Sequence, residues 1–295
     1  MSVRRKSNWY VYFIAFGIAM AFAIAAIIAF RWYLFPEDSK PTGNTQSGVT
    51  ENFKPTAEHN FCSVIMVSDN PSANPELFLL IEFSAVENRL AVVPIPNGIS
   101  VPTEDRSLPN VCAAQGEKKV VSVLENILNI DCDSYVRVDR TGFQNLISIF
   151  GNVSYEVLKT MIIYDGSEAE TLNIGTHRLA AESIFRLAML AEYSEGESYR
   201  FSCIGQMFAD LINQNYRTMD SHFIATFFNA IVNEAQATDL TDEKYNKYKD
   251  AIKYTIEYAS SPAEYYVPYG EYTSDGGFII AENSIITIRQ RAGLE

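Results

Sequence analysis

Asp69 and Glu76 are the side chains of this chain best placed to do chemistry. They bracket a turn rich in Asn, Pro and Ser, with β-rich apolar runs at 63–68 before it and 77–83 after it. If those runs pair as neighbouring strands, their facing ends bring two carboxylates together, and hard divalent cations take oxygen ligands. Ordinary solvated strand ends give the same pattern, so spacing alone leaves both readings open. Other signatures are missing. The three histidines, His59, His177 and His222, show no HExxH spacing, and there is no GxSxG elbow and no GxxxxGKS/T phosphate loop. No CxxC pair occurs, which argues against a zinc site. Asp131-Cys132-Asp133 reads as a turn before a strand.

The elements that must carry these residues alternate along the chain. The runs at 77–83 (LFLLIEF) and 90–95 (LAVVPI) are apolar at nearly every position, as expected for central strands covered on both faces. Residues 118–128 place Val121, Leu124 and Leu128 on one side of a helix. A strand at 134–138, a helix at 140–150 ending at Gly151, and a strand at 153–158 follow. Residues 179–193 form an almost wholly apolar helix, with Glu182 and Arg186 as an i, i+4 pair. Residues 201–235 are helical with a break near 216–221. Residues 241–258 open with Thr-Asp-Glu, a capped helix start, and short strands and turns fill the tail from 264. The pattern predicts an α/β fold: a central mixed β-sheet flanked by helices in a single domain.

The start of the chain limits where that domain works. Trp9 to Phe30 carries no charge, is preceded by Arg4, Arg5 and Lys6, and is followed by Arg31, Trp32 and Tyr33. This run exceeds the ~7–15 residues of a signal-peptide apolar core and can span a ~30 Å hydrocarbon layer as a helix. The leading basic residues favour a cytoplasmic N-terminus. The expected organisation is a cytoplasmic tip at 1–8, a transmembrane anchor at 9–35, a Pro/Gly/Ser/Thr linker at 36–60, and an extracellular domain at 61–295. The chain's formal charge is −13, and four of its basic residues fall in or beside the anchor, so the domain itself is more acidic still. Such a balance excludes nucleic acid as a partner, because that binding rests on basic phosphate contacts. The four cysteines, Cys62, Cys112, Cys132 and Cys203, all lie beyond the anchor; disulfides and free buried thiols both fit.

Taken in order, the segments resemble the LytR-CpsA-Psr family, also called cell envelope-related transcriptional attenuators. Val64-Ile65-Met66-Val67-Ser68-Asp69 is similar to the family's first strand and its Gly-x-Asp-type turn. The run 90–95 with Pro96 resembles the strand leading to Ile-Pro-Arg-Asp. Asn110 to Gly116 is similar to the Asn-Ala…Gly-Gly segment. Ser134 to Asp139 with Gly142-Phe143 follows the Tyr-Val-x-Val-Asp…Gly-Phe pattern, and Gly151-Asn152-Val153 the Gly-Gly-Val. Residues 179–191 parallel the helix that normally reads Ala-Leu-x-Tyr-Val-Arg-x-Arg, and Thr238 to Thr241 resembles Thr-Asn-Leu-Ser. The likeness spans about residues 60–290.

The resemblance implies a single-pass bacterial membrane protein that moves glycan polymers from a polyprenyl-pyrophosphate carrier to the cell wall. It implies Mg²⁺ and several arginines on the pyrophosphate, and an apolar tunnel for the lipid. Phosphoryl transfer needs fixed positive charge, and arginine's planar fork suits phosphate. The chain departs at those positions. Asn97-Gly98 stands for Arg-Asp, and Met189-Leu190-Ala191 for Arg-x-Arg. In the Arg-x-x-Arg-Gln pattern Arg200 is kept but Cys203 replaces its partner. Asp69 matches the first magnesium aspartate and Glu76 replaces the second. Losing one preorganised donor commonly costs ~10²–10³ in rate. The expectation is therefore a degenerate pyrophosphate site at Asp69, Glu76, Asn97 and Arg200, with Arg137, Arg178 and Arg186 as the available substitutes. The expected apolar tunnel is lined by Phe185, Met189, Phe223 and Phe227. The favoured role is a non-catalytic envelope accessory that binds a polyprenyl lipid or pairs with an active paralogue. The rivals are a rearranged phosphotransferase and a tethered interaction module.

Overall fold

The computed structural model describes residues 53–100, 107–166, 168–274 and 276–293. The apolar run 9–30 and the expected anchor and cytoplasmic tip lie outside the described residues. Among the described residues no helix is long and apolar enough to cross a membrane.

The large sheet is built from β1 (Phe61–Val67), β2 (Leu77–Ser84), β3 (Arg89–Ile95), β4 (Ser134–Val138), β10 (Ala237–Thr238) and β11 (Ala263–Tyr265), in the order β10-β4-β1-β2-β3-β11. The sheet is mixed. β1, β2 and β3 run as an antiparallel meander, β4 joins β1 in parallel and β11 joins β3 in parallel. The period-2 alternation of strand side chains explains why β2 and β3 read as unbroken apolar runs. Val67, Leu77, Leu79, Val92, Val136 and Val138 face one helical layer. Val64, Met66, Phe78, Leu80, Val93 and Ile95 face the other.

The second of those layers holds α1 (Leu108–Gln115), α2 (Glu117–Leu128) and α8 (Glu282–Arg291), which contribute Leu108, Val120, Leu124 and Ile288. The first layer holds α3 (Arg140–Phe150), α4 (Ala181–Leu190) and α5 (Glu197–Asn215), which contribute Phe143, Phe185 and Phe208. α6 (Ser221–Glu234) lies along α3, and α7 (Asp242–Tyr258) packs Ala251 on the end of the sheet near Phe83. Three helix starts are capped by side chains. Asp139 accepts a hydrogen bond from Gly142 N at 2.8 Å, Asp220 from Phe223 N at 2.8 Å and Thr241 from Lys244 N at 3.3 Å. Gly151, just past α3, has φ 98°, a conformation that glycine adopts at least cost.

Four expectations need correcting. The folded unit starts before residue 61: Phe53 packs edge-on to His59 at 5.2 Å, and Asn60 Oδ1 accepts from Ala85 N at 2.9 Å, so residues 53–60 belong to the domain and not to a linker. The helix expected at 179–193 is shorter, because Leu179 ends β8 (Gly175–Leu179) and Ala191 begins β9 (Ala191–Glu192). Between β5 (Val153–Val157) and β8 lie two strands with no counterpart in the sequence reading, β6 (Met161–Asp165) and β7 (Glu168–Leu172). They form a three-stranded sheet with β9, while β5 pairs with β8. In the tail, β12 (Gly270–Tyr272) and β13 (Phe278–Ile280) form a hairpin, and α8 replaces the expected turns.

Gly142 shows how tightly the layers meet. A Cβ there would lie 2.8 Å from the Glu234 carbonyl oxygen at the end of α6. In an open helix Gly→Ala gains ~1 kcal/mol. Gly142→Ala is instead expected to lower stability by ~1–2 kcal/mol, since the neighbour is backbone and must shift. Urea unfolding checks it; a stabilised variant would mean that α3 and α6 do not meet this closely.

Candidate functional site

The start of β2 and the end of β3 border a cleft of about 540 Å³. Glu76, Asn97, Met189 and Arg200 line it, with Ala191, Glu192, Tyr193, Glu197, Thr160 and Ile162 completing most of the wall. Pairing of β1 with β2 puts Val67 opposite Leu77, and Glu76 N donates to Val67 O at 2.9 Å. Asn97, just beyond β3, donates from Nδ2 to the Glu76 carbonyl at 3.0 Å. The C-terminal end of α4 and the start of β9 bring Met189 and Ala191 to the opposite side.

Arg200 is the one cationic side chain among the described residues lining the cleft, and two of its N–H donors are engaged within the protein. Nη1 reaches Glu197 Oε2 at 3.1 Å and Nη2 reaches the Ala188 carbonyl at 2.9 Å. Glu76, Glu192 and Glu197 supply three carboxylates against this one guanidinium. Cys203, one turn further along α5, does not line the cleft. It is 6 % exposed, and Tyr155 and Tyr199 lie beside its sulfur. Burial, with the Cys203 sulfur beside them, holds the Tyr155 hydroxyl far above its ordinary pKa and pushes Tyr199 up to about 12. Tyr155 and Cys203 are therefore neutral, packed parts of the core, with half-buried Tyr199 at their edge.

Asp69 goes elsewhere. Its carboxylate pairs with Arg140 at 3.0 Å, and Arg140 also meets Asp165 at 3.3 Å while stacking 4.7 Å over the Phe185 ring. Arg186 joins the same chain of charges, meeting Asp165 at 3.5 Å and Glu170 at 2.5 Å. Glu182, the helical partner expected for Arg186, is displaced because β6 and β7 bring acidic residues across α4. Among the described residues no three of His, Cys, Asp and Glu gather into a set that could hold a metal ion. Asp69 is thus paired with a guanidinium, while Glu76 lines the cleft.

The expected tunnel set divides. Met189 lines the cleft. Phe185 is fully buried in the core against Phe143, with ring centroids 5.7 Å apart. Phe223 and Phe227 pack on Phe150 at 5.4 and 4.8 Å, filling the seam between α3 and α6. Of the substitute arginines, Arg137 is held by Glu117 at 2.6 Å and by the Ala73 carbonyl at 2.9 Å, and Arg178 is exposed on β8. The sequence reading missed Arg140, Asp165, Glu192, Tyr193 and Glu197. The one available signal was the resemblance, since Glu192, Tyr193 and Glu197 lie between the two expected arginine motifs.

A three-layer α/β/α domain with a mixed central sheet and a cleft at its strand ends defines a fold class shared by several solved bacterial proteins. A protein of Eubacterium siraeum DSM 15702 described as a transcription regulator superposes with a TM-score of 0.76 at 22 % identity, covering 86 % of this chain and 99 % of that one. TagV of B. subtilis gives 0.63 at 14 %, covering 80 % and 98 %. TagT bound to LIIa-WTA gives 0.59 at 16 %, covering 87 % and 99 %. At these identities the likeness establishes the fold. The profile of the LytR_cpsA_psr family matches residues 79–277, and the chain belongs to that family. No curated protein matches it.

Proposed function

We propose that this chain is a non-catalytic cell-envelope member of the LytR-CpsA-Psr family whose pyrophosphate site has lost its chemistry. One observation supports the reading above all: the cleft where the family resemblance places arginines holds one guanidinium, already bonded to Glu197 and Ala188, among three carboxylates. Family members are glycopolymer phosphotransferases, and their reaction needs preorganised positive charge on the phosphoryl oxygens. Here a pyrophosphate would meet net negative charge. The apolar wall at Ile162, Met189 and Leu190 suits the hydrocarbon end of a polyprenyl lipid instead. In this reading the uncharged run 9–30 anchors the domain outside a bacterial membrane, where it holds a lipid or an active paralogue and takes no nucleic acid.

Native mass spectrometry of residues 36–295 with magnesium and a short polyprenyl pyrophosphate tests this. The expected result is intact bound ligand with no phosphate released. Met189→Arg with Ala191→Arg should tighten pyrophosphate binding by ~10-fold or more, since charge-assisted donors are about twice as strong as neutral ones and these two face the cleft. Released monophosphate from the unaltered chain would establish the phosphotransferase, and no adduct in either protein would favour an interaction module.

A further inference from the structure

The turn at Asp131-Cys132-Asp133 carries more than a route into β4. Cys62, at the start of β1, and Cys132 bring their sulfur atoms to 3.3 Å, although 70 residues separate them in sequence. The backbones on both sides are pinned. Cys62 N donates to Asp133 Oδ2 at 2.9 Å and Asp133 N donates to the Cys62 carbonyl at 2.8 Å. Cys132 N donates to Glu125 Oε1 at 3.0 Å, and Tyr248 donates from its hydroxyl to Asp133 Oδ1 at 2.7 Å. Only the side chains need to move, by ~1.3 Å, to reach a bonded S–S separation. The other two thiols have no such partner in reach: Cys112 packs in the layer on one face of the sheet and Cys203 in the layer on the other.

We propose that Cys62 and Cys132 form a built-in oxidisable pair that closes into a disulfide by exchange with a small-molecule or protein disulfide. The two thiols differ in access, which sets the order of events. Cys132 is half-buried and takes the first step, its thiolate attacking one sulfur of the disulfide donor and releasing one thiol. Cys62 is 4 % exposed and then attacks the Cys132 sulfur of the mixed disulfide, expelling the second thiol. The pair gives up two electrons and its two thiol protons, and the donor leaves as two thiols. Contact with Cys132 and burial both hold the Cys62 thiol well above its ordinary pKa, so it stays protonated until the mixed disulfide draws it in. The cross-link ties the first strand of the sheet to the turn feeding the strand beside it.

The test uses the full-length chain in detergent, reduced with a dithiol, desalted and exposed to oxidised glutathione. Remaining thiols are then trapped with a maleimide for intact-mass and peptide analysis. With the trapping done in denaturant so that buried thiols react, the expected result is loss of two of the four free thiols and a peptide joining Cys62 to Cys132. Closing a 70-residue loop should also raise the thermal midpoint by on the order of 10 °C over the reduced form. Cys132→Ser should abolish the link and the shift, and because that site is half-buried it should fold. Cys62→Ser should leave glutathione on Cys132, unresolved. Four maleimides on the glutathione-treated chain, or a link through Cys112 or Cys203, would overturn the proposal.

Discussion

Phe185→Ala is expected to cost the fold ~3–5 kcal/mol, the range for emptying a fully buried aromatic site. Its ring has no exposed surface, meets Phe143 edge-on at 5.7 Å and lies under the Arg140 guanidinium at 4.7 Å. Removing it leaves a void between α3 and α4 and takes away the surface on which Arg140 rests while it holds Asp69 and Asp165. Phe185→Leu refills much of that volume and should cost ~1–2 kcal/mol. Chemical denaturation of the three proteins reads this directly. The same residue separates two accounts of the apolar helix. If Phe185 lined a solvent-filled lipid tunnel, its truncation would cost well under ~1 kcal/mol and would show in lipid binding instead. A small loss for alanine would therefore remove Phe185 from the core.

Raising pH from about 5 to above 8 is expected to lower the stability of the domain through one residue, Glu82. It sits in the middle of β2 with no exposed surface, and neither carboxyl oxygen has a hydrogen-bond partner. Burial lifts its pKa from 4.5 to about 8, against the pull of Arg291 and Arg89, with Glu264 adding to the rise. The folded protein thus holds a proton that the unfolded chain releases near 4.5. Between those two values the native state binds more protons, so stability falls as pH rises, and the loss is complete above the folded value. At ~1.4 kcal/mol per pH unit the full span amounts to roughly 5 kcal/mol as an upper figure. Glu82→Gln removes the ionisation. Its unfolding free energy should lack this slope, so its stability relative to the parent chain improves steadily from pH 5 to 8.5. Parallel pH profiles for the two proteins would show that Glu82 is ionised in the fold or paired.

The large sheet and its two helical layers were legible because burial writes itself into sequence. Strands covered on both faces read as LFLLIEF and LAVVPI, and capped amphipathic helices such as α3 and α7 carry their own start signals. The hairpin of β6 and β7 was not legible. All of β7 except Leu172 is exposed, so nothing in Glu168–Leu172 alternates. That omission hid the charge chain as well, because Asp165 and Glu170 reach Arg140 and Arg186 only once the hairpin folds over α4. Asn97, Met189 and Arg200 follow from resemblance to a motif order and Glu76 from strand-end spacing as well, and the fold gathers all four in one cleft. Asp69, read from the same strand-end spacing as Glu76, lies outside it. Whether a carboxylate meets a metal or a guanidinium depends on its three-dimensional neighbours, and Arg140 lies 71 residues away.

The flanks of the large sheet bear on how copies of this domain meet one another. Its outermost strands are β10, two residues long, and β11, three residues long. Strands that short offer a neighbouring molecule few free backbone groups to pair with. β1 and β2 are interior strands, β4 separates β1 from that side, and β11 covers β3 from Leu90 to Val92, beyond which Pro94 has no N–H to donate. An encounter between copies would therefore find little continuous strand edge to zip onto and would be made largely through side chains.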